Sequence, residues 1–307
     1  SYQEINNFYT MTVYEKGAEV FRMLQTLLGR ETFRRGFDDY IAKNDGSAVT
    51  CEAVLDAMAG AAKRDLRQFK RWFSQAGTPR VKVRSFWNAA EGTLRLAVTQ
   101  TTPATPGQPV KRPFLIPFPV ALLNAQGEEM PVRLEGETGT GIVGTRMLEL
   151  TEDSQEFVFT GLAEKPVLSL NRGFAAPIIL DAGLTRDERL FLAAHDSDPF
   201  NRWDALNGLL IDAVRKETRA RLLHEPGDID PKLLETVGAV LKDESLSPAF
   251  KAVALAMPTE KIVADTLPVI DPHAVHSAWV AVRNAIAKRN LSAFMDAAEK
   301  ERNARPL

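Results

Sequence analysis

Four histidines, a single cysteine and a pair of closely spaced tyrosines are the places where this 307-residue sequence could do chemistry. His224-Glu225 is its one His-Glu pair, but a helical H-E-x-x-H needs a second histidine at position 228, where Asp228 stands. Pro226-Gly227 would also break the helix that such a zinc site requires. His273 and His276 lie three apart on a predicted helix, yet no third ligand is near in sequence, so they read as surface or core histidines. The run His195-Asp196-Ser197-Asp198 offers a base, carboxylates and a hydroxyl. Its position between two predicted helices explains it as capping chemistry instead. Cys51 falls in the first turn of a predicted helix after Thr50, where the positive helix end could lower a thiol pKa. With no histidine beside it in sequence, it reads as a small buried residue. Glycine-rich phosphate loops are absent.

The densest unusual stretch is Asn6-Asn7-Phe8-Tyr9-Thr10-Met11-Thr12-Val13-Tyr14-Glu15-Lys16-Gly17-Ala18-Glu19. Tyr9 and Tyr14 stand five apart, immediately before a predicted helix. A buried tyrosine usually packs its ring and satisfies its hydroxyl. The functional alternative is that a neutral phenol, with a reference pKa of about 10, donates a hydrogen bond to an anionic oxygen at neutral pH.

The elements around these residues fall into three zones. In the first, Val20, Met23, Leu24, Leu27 and Leu28 repeat at one helix face, and Gly29 sits where a C-terminal cap belongs. Phe33, Phe37, Tyr40 and Ile41 form a second stripe, closed by Asn44-Asp45-Gly46. Thr50 is placed to cap a third helix carrying Val54, Leu55 and Met58, and Asp65 a fourth carrying Leu66, Phe69, Trp72 and Phe73.

After Gly77-Thr78-Pro79 the apolar period shortens to two, as in Val81-Lys82-Val83, Leu94 to Val98, Phe157-Val158-Phe159 and Val167 to Leu170. Short alternating runs broken by turns over about a hundred residues predict an antiparallel β-sandwich. The Phe114 to Val120 segment carries Pro117 and Pro119, which places it at a sheet edge or bulge. From Leu184 helices return. Thr185 and Glu188 have capping-box spacing, and Asp198-Pro199, Asp230-Pro231, Ser247-Pro248 and Asp271-Pro272 each put a capping side chain before a proline at the first helical position. Restarts after short turns predict stacked helix pairs in a solenoid-like array.

Thirty-eight basic against 40 acidic residues, a net charge of -2, argue against nucleic-acid and membrane-surface partners. No apolar run approaches the ~18 residues of a membrane span. One cysteine makes no intrachain disulfide, so a cytoplasmic location is the default expectation. The start at Ser1 fits either removal of an initiating Met or a piece of a longer polypeptide.

The stretch Tyr9 to Val20 resembles the tyrosine-bearing segment of bacterial aminopeptidase N, a gluzincin zinc aminopeptidase family. Asp45-Gly46-Ser47-Ala48-Val49-Thr50-Cys51, Trp72-Phe73-Ser74-Gln75-Ala76-Gly77-Thr78-Pro79 and Phe200-Asn201-Arg202-Trp203-Asp204-Ala205 resemble further family segments in the same order. The resemblance implies residues 1–79 as the helical end of a thermolysin-like catalytic domain, 80–181 as the β-sandwich and 182–307 as the start of a C-terminal helical domain. It implies Tyr14 as the catalytic tyrosine that stabilises the oxyanion and Tyr9 as a substrate-binding residue, with Glu15 and Lys16 as helix-start and packing residues.

By the same resemblance, zinc belongs to the parent enzyme, held by an H-E-x-x-H and a downstream glutamate that this chain lacks. The expected partners are peptides with a free N-terminus and the missing N-terminal part of the same polypeptide. No metal is expected in this chain, which by itself should be inactive. The competing reading is a noncatalytic interaction module of sandwich plus helical array.

Overall fold

The computed structural model describes Glu4, Thr10 and residues 12–304. It divides into two compact units, one of residues 1–122 and 129–183, the other of residues 123–128 and 184–307.

The first unit opens with a π-helical turn, Thr12–Lys16, that runs into α1 (Gly17–Leu28). Val20, Met23 and Leu24 are the buried face of α1, and Gly29, at φ 79°, ends it by donating its N–H to the Gln25 carbonyl. α2 (Arg30–Asn44) and α3 (Cys51–Ala62) follow as a pair in close contact. Here the stripe reading fails. Gly36 is the buried residue of α2, while Phe37 and Ile41 are 36% and 47% exposed. The cause is close approach: a Cβ at Gly36 would lie 2.6 Å from the Met58 sulfur and 3.1 Å from its Cα, so the glycine side of α2 presses on α3. The aromatic stripe then packs on itself, Phe33 on Phe37 at 6.0 Å and Phe37 on Tyr40 at 6.1 Å.

Two further expectations change. Thr50 occupies the cap position of α3, but its side chain accepts no backbone N–H. It bonds instead to the Glu52 carboxylate, which together with Lys70 holds Glu52 down to about 2. The fourth helix is reduced to α4 (Arg71–Ser74), preceded by turns that Asp65 opens by accepting the Arg67 N–H at 2.8 Å.

β1 (Arg80–Asn88), β2 (Thr93–Thr101) and β7 (Ser154–Phe159) pair antiparallel, with Val83 opposite Val98 and Leu96 opposite Phe157. The alternation read in Val81, Val83, Leu94, Leu96 and Val98 is the inward side of this sheet. β9 (Ile179–Asp181) closes its edge in parallel with β1, so the sandwich is not purely antiparallel.

The second sheet has the order β6, β3, β8, from Arg146–Leu150, Ile116–Leu123 and Val167–Leu170. β3 is therefore the middle strand, fully buried, although it carries Pro117 and Pro119. Successive backbone N–H groups point to opposite sides of a strand, so prolines two apart lose donors on one side only. β3 nevertheless has a strand on each side, and the edge-strand expectation is overturned. β4 (Pro131–Val132) and β5 (Ile142–Val143) make a small ribbon. Between 80 and 181 the longest helical piece is the 3-10 turn Arg172–Phe174.

The second unit is helical: α5 (Arg186–His195), α6 (Pro199–Leu222), α7 (Pro231–Lys242), α8 (Pro248–Ala254), α9 (Glu260–Ala264), α10 (Pro272–Arg289) and α11 (Leu291–Ala304). All five expected caps are made. Thr185 and Glu188 close a capping box, and Asp198, Asp230, Ser247 and Asp271 accept N–H groups of Asn201, Lys232, Phe250 and Ala274. Their helices share one core around Leu206, Leu209, Val214, Val237 and Val282. No described helix is long and apolar enough to cross a membrane.

Candidate functional site: the tyrosine turn

Tyr14 sits in the middle of the π-helical turn and is 56% exposed. The turn is anchored at its start by Thr10, whose carbonyl accepts the N–H groups of Val13 and Tyr14 at 3.0 and 3.1 Å. A π turn widens the helix by one residue and projects a side chain that an α-helix would carry on another face, a device frequent at functional sites. Here it directs the Tyr14 phenol outward from the start of a well-packed helix. Tyr9, the second expected site residue, lies outside the described residues.

Two cations tie this segment down. Lys16 Nζ donates to the Gly77 carbonyl at 3.2 Å, and its half-burial lowers its pKa from the usual lysine value. Gly77 takes φ 101°, and a Cβ there would lie 2.9 Å from the Thr102 methyl, so both conformation and space require glycine. One and a half turns further on, the Arg22 Nη1 donates to the Gly173 carbonyl at 2.7 Å while Nη2 reaches the Phe174 carbonyl. Glu19 orients that guanidinium through a bond to Nε at 2.9 Å.

The loop that receives Arg22 is unusual: Asn171, Gly173 and Phe174 all have left-handed backbone, with φ 51°, 64° and 51°. For a bulky residue such as phenylalanine that is a costly conformation. Asn171 holds the loop closed by donating to the Ala176 carbonyl and accepting its N–H, both at 3.1 Å. Sequence reasoning passed over Lys16 as packing and missed Arg22 and this loop. Asn171 and Gly173 were the available signal, since those residue types favour left-handed backbone.

The histidines do not converge. His195 ends α5 and packs against Phe191 at 5.0 Å, with the following Asp196 and Asp198 used in the helix junction as expected: the Asp196 carboxylate accepts the Asp198 N–H. His224 sits past α6 in left-handed backbone. His273 is exposed, and exposed His276 pairs with Glu260 at 2.8 Å. Among the described residues no group of three or more His, Cys, Asp or Glu could hold a metal. The donors present thus do not fit a zinc site, and no chemical step is assigned to metal held by this chain. Cys51 is exposed, correcting its reading as buried; at the first turn of α3 it lies before the buried Val54, Leu55 and Met58.

Three family models match in succession. Residues 1–73 match the peptidase family M1 domain, 77–183 an Ig-like domain of unknown function, DUF3458, and 186–307 its C-terminal companion of ARM repeats. The chain is 37% identical to aminopeptidase N of Escherichia coli over 284 residues, 92% of this chain and 32% of that protein. Aminopeptidase N of Haemophilus influenzae matches at 37%, over 93% of this chain and 32% of the relative, and that of Caulobacter vibrioides at 39%, over 94% and 32%. The crystal structure of Legionella pneumophila aminopeptidase A in complex with aspartic acid superposes with a TM-score of 0.83 at 23% identity, covering 100% of this chain and 33% of that one, which establishes a shared fold. Along nearly its whole length the chain is thus similar to bacterial aminopeptidase N, of whose curated members it spans about a third of the length.

Proposed function

We propose that this chain is part of a zinc-dependent aminopeptidase that releases N-terminal residues from peptides, and that Tyr14 stabilises the oxyanion formed as the peptide carbonyl becomes tetrahedral. The reading rests on the presentation of Tyr14: a half-exposed phenol on a π turn, within the segment that matches the peptidase family M1 domain. A preorganised donor of this type acts where charge develops, and each one typically contributes a few kcal/mol to transition-state stabilisation. Tyr9 is proposed to shape the substrate pocket beside it. Zinc would be held by residues outside this chain, as would the group that binds the substrate's free amine, so the chain alone is expected to be inactive. In the same proposal residues 1–79 close the catalytic domain, 80–181 form the sandwich domain and 182–307 begin the C-terminal helical domain, all acting in the cytoplasm with neither nucleic acid nor membrane as partner.

Tyr14→Phe in the complete enzyme is the test. Loss of one transition-state donor is expected to lower kcat about 100-fold to 1000-fold, about 3 to 4 kcal/mol, with KM little moved. Zinc content and melting temperature should stay near their starting values, because the ring keeps its place. An intact kcat, or a fall matched by loss of stability, overturns the assignment.

A further inference from the structure

We propose that Lys16 and Arg22 form a two-point clamp that positions the tyrosine turn against two left-handed loops of the same compact unit. The inference rests on the aminopeptidase reading of Tyr14, and its geometry stands apart from that reading. Lys16 lies two residues after Tyr14 in the same π turn, and its single hydrogen bond to the Gly77 carbonyl fixes the turn at the boundary where helices give way to strands. Arg22 lies on the helix that continues the turn and closes on the carbonyls of Gly173 and Phe174.

Each acceptor is held in one orientation by its own backbone. Gly77 has neither the φ nor the space for a side chain, and the Asn171 brace on Ala176 keeps the Gly173–Phe174 turn shut. A flexible loop would give way when a cation pulled on its carbonyl, whereas a conformationally over-determined one transmits position. The Phe174 ring also lies within 5.8 Å of the Arg22 guanidinium, adding a cation–π contact to the same joint. Half-burial of Lys16 fits a lysine committed to a carbonyl rather than to solvent. Neither side chain touches reacting atoms in this arrangement, so both are positioning residues: they set where the phenol points.

The test has a structural arm and a kinetic arm. In the 307-residue chain, Lys16→Met keeps the stem and removes the donor. Amide exchange at Val13 and Tyr14, followed by NMR, is expected to accelerate about 10-fold or more while β1 and β2 stay unchanged, with Lys16→Arg restoring much of the protection. Unchanged exchange at the turn overturns the clamp, as does acceleration spread evenly over the unit. Arg22→Lys, which keeps the charge but loses the two-carbonyl fork, should accelerate exchange at the same amides more weakly.

In the complete enzyme, Lys16→Met is expected to reduce kcat on the order of 10-fold to 100-fold at nearly constant KM, since misplacing a donor by about an ångström has that effect. Added to Tyr14→Phe, it should slow turnover no further, because it acts through the missing hydroxyl. An additive loss in the double variant overturns the positioning role. A normal kcat in Tyr14→Phe alone refutes the aminopeptidase role of the tyrosine, while the exchange result still decides whether the clamp exists.

Discussion

The molecule contains two helical regions built on opposite plans. In α1 to α4 the residues at the cap positions, Lys16, Gly29, Thr50 and Lys70, make no side-chain cap bond. In α5 to α10 each cap residue, Thr185, Asp198, Asp230, Ser247, Thr259 and Asp271, accepts a backbone N–H. What the first region lacks locally it obtains at long range, through side chains that donate to carbonyls of the sheet segment. Besides Lys16 and Arg22, Gln68 donates to the Pro113 and Thr151 carbonyls, Trp72 to Leu115 and Gln75 to Arg112. Local bonds define where a helix starts; distant ones define where it sits. A turn proposed to aim one phenol calls for the second kind, and an array of stacked helices for the first.

The sharpest way to break this comparison is to remove a distant tie. Trp72 is buried, packs its ring at a tilt against Phe114 with centroids 4.4 Å apart, and donates its indole N–H to the Leu115 carbonyl at 2.9 Å. Trp72→Ala removes the ring and strands a buried acceptor, so a loss of about 3 to 5 kcal/mol is expected in the unfolding of the first unit. Urea unfolding followed by probes in each unit should show the second unit's transition in place. A loss below about 1 kcal/mol would mean that the distant ties do not hold the first region together.

A smaller effect should separate the two capping styles. Asp198→Ala deletes a side-chain cap from α6 and is expected to cost about 1 kcal/mol in the second unit. Thr50→Ala, at the same position of α3, removes no cap bond and should cost less than half of that, read from the same unfolding curves. Equal losses would erase the distinction between the regions.

The same division explains what could be read from sequence. Ser or Asp before Pro, and Thr185 with Glu188 three residues on, carry their own bonding partners within a few residues, so the starts of α5, α6, α7, α8 and α10 were legible. Thr259, with no proline after it, was passed over although it caps α9 by the same bond. Alternation exposed β1 and β2 because one face is buried and the other is not. Pro117 and Pro119 misdirected the placement of β3, because their residue type reports a missing donor and not which neighbour misses it. In the candidate site, the motif singled out Tyr14, whose role is the one proposed above. Arg22 was not singled out: its partners lie about 150 residues away, at a loop whose backbone no spacing rule encodes.

The smallest expected effect tests the failed stripe on α2. Apolar residues at helical spacing ordinarily face a core, and Ile41→Gln in a core would cost several kcal/mol through lost burial and an unpaired amide. Ile41 is instead 47% exposed in this structure, with the helix seated on α3 through Gly36. Little apolar surface then leaves water on folding at that position, and an exposed glutamine finds water for its amide. Gln is also a better helix former than Ile by a few tenths of a kcal/mol, which offsets the remaining contact loss. The net change in the first unit should therefore fall within about 0.5 kcal/mol of zero, against the 3 to 5 kcal/mol expected, about tenfold more, for Trp72→Ala. A measured loss above about 1.5 kcal/mol would place Ile41 against a covering surface, and the aromatic stripe would rejoin the buried face that its spacing implies.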